Sequence, residues 1–454
     1  MNIYNPATGE LIRSVDTDTK ESIQTKISLL REGQQDWASR TLAERIAVLK
    51  KFAALLQENM THCANILTEE VGKPLQQSKN EINGACARID WLTGNAEKYL
   101  SDEWMTESGS TREKIVYEPL GVVCNISAWN YPYLVGTNVF VPALLAGNAV
   151  IYKPSELATL TGIEIQAHLY KAGVPENVFQ LAVGDKAVGE ILLDADLDGY
   201  FFTGSYKTGK YIYDRVSKKM KPCGLELGGK DPLYVSDAIG DIKTTAINTA
   251  DGAFYNNGQS CCSVERIYVH EKVYDEYVQA FLSEVKSYKS GKPTEDGIYI
   301  AALTRKEQPA FLLSQVEDAV QKGAKLLCGG KIMEGKGNYF EPTVLTEVTH
   351  DMAIMKEESF GPVIGIMKVG SDEEAISLMN DTEYGLTAAV YCDDENRALR
   401  IQSKLNAGTV YWNCCDRVSA ALPWSGRKHS GFGSTLSHAG LRAFTQPKAY
   451  HLRK

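Results

Sequence analysis

Residues 121–126 read Gly-Val-Val-Cys-Asn-Ile, the first of four short apolar runs that decide the fold. The other three are Ala149-Val-Ile-Tyr152, Val178-Phe-Gln-Leu181 and Gly199-Tyr-Phe-Phe202, and helical segments such as 158–171 lie between them. Strands that alternate with helices form right-handed βαβ units, whose strands lie parallel in one sheet. The pattern therefore predicts a doubly wound α/β domain around these strands.

A second alternation of strands and helices runs from about residue 245 to 425. It contains a predicted strand at 264–269, a predicted helix at 271–288 and the short apolar run Ile364-Gly-Ile-Met367. The chain has 454 residues, which exceeds the length of one ordinary domain of about 100–200 residues. We therefore expect two α/β domains.

The N-terminal region is predicted to be helical. In residues 18–100, apolar side chains recur at the spacing of a helix that buries one face. Thr41 with Glu44 forms a capping box at the start of one such run. We therefore expect amphipathic helices in this region that pack against a larger unit.

The composition favours a globular protein without a nucleic-acid or membrane partner. The net charge of −9 is spread along the chain, no basic cluster occurs, and no run approaches the roughly 18 apolar residues of a membrane span. The ten cysteines include no Cys-x-x-Cys spacing, so no metal site is expected. Scattered cysteines without a signal peptide are typical of reduced thiols, and a cytoplasmic location is expected.

Two predicted strands end in residues suited to a dinucleotide. Lys153 and Glu156 follow one strand, where an ammonium and a carboxylate can bind the hydroxyls of an adenosine ribose. Thr203, Gly204 and Ser205 follow another, where a small turn that opens a helix offers free N–H groups to a pyrophosphate. The Gly-x-Gly-x-x-Gly fingerprint is absent, so an ordinary strand-to-helix turn remains the alternative at both places.

Three further side chains have chemistry that an enzyme can use. Glu226 lies among glycines and apolar residues, surroundings that raise a carboxyl pKa and favour a general base. Cys261 follows Gly258 at the expected foot of a helix, where backbone N–H groups can stabilise a thiolate. Asn130 offers an amide donor for an oxyanion. Each residue also fits a structural role, as a turn glutamate, a core cysteine or a turn asparagine.

The order of these motifs resembles the aldehyde dehydrogenase superfamily over essentially the whole chain, beginning at Asn5-Pro-Ala-Thr-Gly9. The matching motifs are Trp129-Asn-Tyr-Pro132, Lys153-Pro-Ser-Glu156, Phe202-Thr-Gly-Ser205, Leu225-Glu-Leu-Gly-Gly-Lys230, Gly258-Gln-Ser-Cys261, Glu357-Glu-Ser-Phe-Gly-Pro362 and Ser430-Gly-Phe-Gly433. Seven motifs in the family's order leave little room for coincidence.

The resemblance implies covalent catalysis. Cys261 is expected to attack the aldehyde carbon, while Asn130 and the backbone N–H of Cys261 hold the oxyanion. Hydride then passes to the nicotinamide, and Glu226 activates the water that hydrolyses the thioester. NAD is the expected cofactor, with NADP as the alternative. The residues that the resemblance implies at the cofactor are Ile126, Trp129, Lys153, Glu156, Gly184, Thr203, Gly204, Ser205, Leu227, Glu358 and Phe360.

The resemblance also implies the domain organisation. The family fold is α/β, with two Rossmann-like parallel-sheet domains and a small bridging hairpin for oligomerisation. Residues 1–100 and 120–228 are assigned to the NAD-binding domain, and residues 229–428 to the catalytic domain. Residues 101–119 and 440–454 are assigned to the oligomerisation segments, which are expected to pair subunits into a homodimer or homotetramer.

The substrate is predicted from the region that follows Asn130. Relatives that oxidise succinate semialdehyde carry an arginine there, whereas residues 133–138 contain no cation. Tyr131 and Trp424 match two aromatic walls of relatives that act on betaine or amino aldehydes, although packing roles fit them as well. We therefore expect a neutral or amino aldehyde. Succinate semialdehyde is the alternative, with Arg417 or Arg427 as the partner of its carboxylate.

Two other functional classes remain to be distinguished. Aldehyde dehydrogenases that transfer the acyl group to CoA lack the glutamate at the Glu226 position, so its presence favours hydrolysis. Some members of the superfamily serve as structural lens crystallins without catalysis. Intact Cys261, Glu226 and Asn130 favour an active enzyme over this alternative.

Overall fold

The short apolar runs between residues 121 and 202 form neighbouring parallel strands in the computed structural model, which describes residues 1–108 and 110–453. The strand order in their sheet is Gly431–Phe432, Cys223–Glu226, Gly199–Thr203, Val122–Ile126, Ala149–Lys153 and Phe179–Leu181. Gly431–Phe432 pairs with Cys223–Glu226 in antiparallel orientation, and all other neighbours in this sheet are parallel. The predicted strands are confirmed to within one residue at each end, because buried β-branched and aromatic side chains mark them clearly in the sequence.

Helices cover the sheet and continue into an N-terminal bundle. The crossover helices are Pro132–Leu145, Thr159–Ala172, Lys186–Asp194 and Tyr206–Val216, and the bundle consists of Lys20–Ser39, Leu42–Glu58, Met60–Val71 and Leu75–Leu100. The predicted capping box at Thr41 and Glu44 is confirmed, with each side chain bonded to the other residue's backbone N–H. Trp37 anchors the bundle to the domain, because its buried indole N–H donates to the carbonyl of Leu144 at 2.9 Å.

A second sheet forms between residues 231 and 412. Its strand order is Lys325–Cys328, Thr343–Thr346, Val363–Val369, Val264–His270, Asp231–Val235, Thr387–Tyr391 and Thr409–Trp412, and only the first pairing is antiparallel. Its helices are Ile242–Phe254, Tyr274–Ser287, Gln308–Gln321, Ala353–Lys356, Asp372–Asn380 and Glu395–Gln402. The two parallel sheets agree with the predicted α/β fold class, which the comparisons reported below also confirm.

Smaller elements complete the fold. The strands Glu103–Ser108, Thr111–Pro119 and Thr445–Arg453 form a separate antiparallel sheet, and Asn2–Tyr4 pairs with Leu11–Ser14. Gly109 and Lys454, which belong to the predicted oligomerisation segments, lie outside the described residues. In the part of the chain that the structure describes, no helix is long and apolar enough to cross a membrane.

The C-terminal segment returns to the first domain before it reaches the antiparallel sheet. Gly431–Phe432 extends the first sheet, and the helix Ser437–Arg442 follows it. Leu441 and Phe444 are buried in the hydrophobic core of that domain. The first residues of the predicted oligomerisation segment 440–454 therefore also contribute apolar side chains to this core. The strand of that segment begins at Thr445.

Candidate active site

A cleft of about 820 Å³ lies at the carboxyl ends of the parallel strands in the first sheet. Its lining combines those strand ends with two loops of the second domain, around Cys261 and Glu358. Most of the predicted site residues meet here. They are Ile126, Trp129, Asn130, Lys153, Glu156, Thr203, Gly204, Ser205, Glu226, Leu227, Cys261, Glu358 and Phe360.

Three predicted site residues are not in the lining of this cleft. Gly184 lies before the helix Lys186–Asp194, and a Cβ atom there would come within 2.3 Å of the Val188 side chain, so this glycine serves close packing. Tyr131 has the ammonium of Lys73 at 4.2 Å from its ring centroid. Trp424 is buried, and its backbone exchanges two hydrogen bonds with Thr435.

The loop that presents Cys261 has an unusual backbone. Asn256, Asn257 and Gly258 have φ angles of 53°, 57° and 70°, in the left-handed region that asparagine and glycine tolerate best. Side chains hold this conformation, because Asn257 bonds the backbone of Ala301 and Ala302 at 2.7 and 3.1 Å. A Cβ atom on Gly258 would lie 2.2 Å from the carbonyl oxygen of Gly361, so the loop also requires the glycine. The position of Cys261 is therefore set by a strained and strongly supported turn.

The two adjacent cysteines have different environments. Cys261 lines the cleft, whereas Cys262 is buried and its Sγ donates to Oδ1 of Asp416 at 3.0 Å. Burial raises the pKa of Asp416 to about 7. The expectation that Cys261 lies at the foot of a helix is wrong, because no helix begins at this residue. The preceding helix ends at Phe254, and Cys261 follows in a turn before the strand Val264–His270, so no helix N-terminus stabilises its thiolate.

Hydrogen bonds hold both the side chain and the backbone of Asn130. Its side-chain amide donates to the carbonyl of Gln259 at 3.1 Å, which ties it to the loop of Cys261. Its backbone carbonyl accepts from Lys73 Nζ at 2.6 Å, and that ammonium is paired with Glu81 at 2.5 Å. The other carboxylate oxygen of Glu81 accepts from the backbone N–H of Tyr133 at 2.8 Å. A buried ion pair therefore fixes the turn that carries Asn130.

Glu226 has the environment of a general base. It ends the strand Cys223–Glu226, and burial raises the pKa of its carboxyl to about 7. The Thr435 hydroxyl donates to Oε1, while the Thr203 hydroxyl lies 3.5 Å from Oε2. A carboxyl with this pKa is substantially ionised at neutral pH and still accepts a proton readily.

Glu358 lines the cleft beside Gly228 and Gly229. The backbone N–H of Gly229 donates to its carboxylate at 3.0 Å. A Cβ atom on Gly228 would come within 2.2 Å of the same carboxylate, which explains the glycine. Burial raises the pKa of Glu358 to about 8, and the charge of Glu265 adds to this effect.

The lining of the cleft fits a dinucleotide. Ser205 caps the helix Tyr206–Val216, whose N-terminus therefore opens into the cleft with N–H groups available to a pyrophosphate. Lys153 Nζ lies 4.0 Å from the carboxylate of Glu156, which places a donor and an acceptor beside each other. Burial lowers the pKa of Lys153, although the charge of Glu156 opposes the change. Both groups suit the hydroxyls of a ribose.

Comparison with known proteins identifies the family. The model of the aldehyde dehydrogenase family matches residues 1–450. The chain belongs to the aldehyde dehydrogenase family. This aldehyde dehydrogenase is therefore an oxidoreductase that acts on aldehydes, and its relatives use NAD or NADP. The predicted family, fold class, reaction class and cofactor type are thus confirmed.

Individual relatives differ in substrate. An aminoaldehyde dehydrogenase from Malus domestica is 36% identical over 451 residues, which cover 97% of this chain and 90% of the relative. A succinate-semialdehyde dehydrogenase [NADP(+)] from Deinococcus radiodurans is 32% identical over 98% of this chain and 93% of its own. The crystal structure of an indole-3-acetaldehyde dehydrogenase with NAD+ superposes with a TM-score of 0.97 at 31% identity, covering 100% of this chain and 93% of the other.

Several residues at the site escaped the sequence analysis. Thr435 contacts Glu226 from 209 positions away, and the Lys73–Glu81 pair supports Asn130 from a helical region that looks like an ordinary amphipathic bundle. Arg88, on the helix Leu75–Leu100, donates through Nη1 to Oδ1 of Asn138 at 2.9 Å. A cation therefore does reach residues 133–138, but from another helix. Sequence spacing carries no signal for contacts of this kind, because they depend on how the helices pack.

Proposed function

We propose that this chain oxidises an aldehyde to a carboxylic acid through a thioester on Cys261. One observation carries the proposal: Cys261, Asn130 and Glu226 line a single cleft together with residues suited to a dinucleotide. In the first step, the Cys261 thiolate adds to the aldehyde carbon. The second N–H of the Asn130 amide and the backbone N–H of Cys261 stabilise the oxyanion that forms. A nicotinamide bound in the cleft supplies the acceptor for the hydride.

Glu226 then supports hydrolysis of the thioester. The Thr435 hydroxyl donates to Oε1, whereas the Thr203 hydroxyl donates to Oε2 only at 3.5 Å, so Oε2 is the oxygen that we assign to take a proton from water. The activated water attacks the acyl carbon and gives its proton to Glu226. The C–S bond then breaks, which releases the acid and restores the Cys261 thiolate. The presence of Glu226 favours water over CoA as the acceptor of the acyl group, since a general base is needed to make water nucleophilic.

A panel of aldehydes tests the proposal. NADH formation is followed by absorbance with each aldehyde, with and without CoA, and the acid product is identified by mass spectrometry. We expect NADH and free acid at rates that do not depend on CoA. Formation of acyl-CoA would instead support the acyl-transferring class, and no NADH with any aldehyde would support a structural role.

NAD is proposed as the preferred cofactor because of Glu156. Its carboxylate accepts hydrogen bonds from a ribose diol but repels the 2′-phosphate of NADP. We expect kcat/KM with NAD to exceed that with NADP by at least about tenfold, and Glu156→Ser to reduce this ratio by about tenfold. Steady-state kinetics with both cofactors measure the ratio.

A matched variant separates this effect from the general charge of the cleft. Glu190 also lines the cleft, but its carboxylate is bonded to Arg215 and Tyr211 at 3.1 and 2.7 Å. We expect Glu190→Ser to change the NAD to NADP ratio much less than Glu156→Ser. Equal changes in both variants, or a wild-type preference for NADP, would contradict the assignment to Glu156.

The oligomer and the cellular location are also proposals. We propose a homodimer or homotetramer that pairs through residues 101–119 and 440–454. Large apolar side chains exposed on these strands support it, namely Trp104, Met105 and Leu452. The division into a cofactor-binding domain and a catalytic domain rests on the two parallel sheets. A cytoplasmic location is supported by the ten cysteines, all of which have free thiols.

A further inference from the structure

Arg88 lies beside the segment that follows Asn130. Its Nη1 atom donates to the Asn138 side chain at 2.9 Å and to the carbonyl of Leu134 at 3.4 Å. Both acceptors lie on one face of the helix Pro132–Leu145, because they are four residues apart. Glu81, seven residues before Arg88 on its own helix, bonds the backbone of Tyr133 at the start of the same helix. Arg88 is therefore held along the segment that begins at the Asn130 turn.

The guanidinium of Arg88 lacks an anionic partner. Among residues 1–108 and 110–453, no carboxylate lies within ion-pair distance of it, and Nε and Nη2 form no hydrogen bond. Lys73, the other cation held near Asn130, is by contrast fully paired with Glu81. Arg88 is only half-buried, but charged groups removed from bulk water are normally paired. An unpaired guanidinium with free donors is thus available to an anionic ligand.

The charge of Arg88 acts on the catalytic centre. Burial lowers the pKa of Arg88, and the opposing effect comes first from Glu226, then from Cys262 and Cys261. The charge of Arg88 in turn lowers the pKa of Glu226, against the larger effect of burial. Arg88 is therefore close enough to interact electrostatically with the groups that surround the reacting carbon.

The two aromatic side chains that favoured a cationic substrate, Tyr131 and Trp424, already have contacts within the protein. One face of the Tyr131 ring is covered by the Lys73 ammonium. Trp424 is buried, with its backbone bonded to Thr435. Arg427, one of the two arginines considered from the sequence, points instead to Asn406, at 3.3 Å. Arg417, the other, is exposed to solvent, whereas Arg88 is half-buried and its charge interacts with Glu226 and Cys261.

We propose that Arg88 binds a carboxylate at the far end of the substrate, so that the preferred substrates are oxo acids with an aldehyde at one end and a carboxylate at the other. The inference rests on the proposed oxidation at Cys261. The planar guanidinium suits this task because its free donors can bind both oxygens of a carboxylate. Asn138 orients Arg88 by accepting from Nη1, which leaves Nε and Nη2 for the ligand.

Matched aldehydes test the assignment in the full-length protein. We compare kcat/KM for succinate semialdehyde, butanal and 4-aminobutanal, and for the five-carbon oxo acid with pentanal. The oxo acids are expected to be preferred over the alkanals of equal length by at least about tenfold. Arg88→Gln is expected to reduce that preference by about 10²-fold, mainly through KM, because one partner of a charge pair is lost. Arg88→Lys should retain part of it.

Controls distinguish the inference from the proposed function. Lys98→Gln removes an exposed positive charge from the same helix, and should leave the preference for oxo acids unchanged. Oxidation of butanal by the unaltered protein supports the proposed function whatever the outcome at Arg88. If the wild type prefers butanal or 4-aminobutanal, or if Arg88→Gln keeps the oxo-acid preference, the assignment of Arg88 is wrong.

A measurement on the unaltered protein covers the case in which the Arg88 variants fail to fold. Succinate and butyrate both carry the carboxylate of a product, but only succinate has a second one for Arg88. We expect succinate to inhibit the oxidation of butanal at least about tenfold more strongly than butyrate. Equal inhibition by the two acids would contradict the proposal.

Discussion

Cys261→Ala is expected to lower NADH formation by more than about 10⁴-fold, because removal of a covalent nucleophile leaves only binding and oxyanion stabilisation. The thiol of Cys261 lines the cleft, and no other described cysteine does. Initial rates at saturating NAD and aldehyde measure the effect. Binding of NAD, followed by protein fluorescence, should persist, because the substitution removes only a sulfur atom at the edge of the cofactor cleft.

The neighbouring cysteine provides the matched control. Cys262 is buried and bonded to Asp416, so Cys262→Ala removes a packing contact and a hydrogen bond but not the nucleophile. We expect this variant to keep most of the wild-type rate. If Cys262→Ala abolishes NADH formation while Cys261→Ala retains it, the nucleophile has been assigned to the wrong residue.

Glu226→Gln is expected to lower steady-state turnover by about 10²–10⁴-fold, the usual contribution of general-base catalysis. The amide has nearly the shape of the carboxylate, so the hydrogen bond to Thr435 can be kept by rotation of the side chain. The first turnover does not need hydrolysis. Rapid mixing should therefore still show a burst of NADH close to one equivalent per site. Loss of the burst would mean that Glu226 acts before the thioester forms.

The pH dependence offers a second measurement of the same role. Burial raises the pKa of Glu226 to about 7, so the fraction of ionised base falls as the pH drops through 7. With the wild type, we expect hydrolysis-limited kcat to decrease on the acidic side of about pH 7. Glu226→Gln should remove this limb, because glutamine does not titrate. An unchanged acidic limb in the variant would assign the titration to another group.

Much of the fold could be predicted from the sequence, because its signals are local. Runs such as 121–126 and 149–152 consist of apolar residues in strand lengths, and the structure extends or shortens each of them by one residue. The ends of parallel strands necessarily meet at one edge of a sheet. This is why Lys153 and Thr203, which each lie just after a predicted strand, could be expected to lie in one cleft, whereas the strand that ends at Glu226 was not predicted.

Other features depended on contacts that no local pattern records. The N-terminal bundle could be predicted as amphipathic helices, but not that it contains the buried Lys73–Glu81 pair. From the sequence, Lys73 and Glu81 could equally be solvated surface charges, and only packing against Asn130 and Tyr133 removes them from water. The burial of Leu441 and Phe444 in the first domain likewise depends on tertiary packing, because a local apolar pattern does not identify the core that a side chain joins.

The sequence by itself determined the family, the reaction class and many of the residues that line the cleft, because those residues belong to short motifs with their own order along the chain. Only the tertiary structure decided which charges lie beside the segment that follows Asn130. The absence of a cation from residues 133–138 predicted a pocket without one, yet Arg88 reaches Asn138 from 50 positions earlier. A binding site is defined by distance in space, and side chains as long as arginine can supply its charge from any helix that packs alongside.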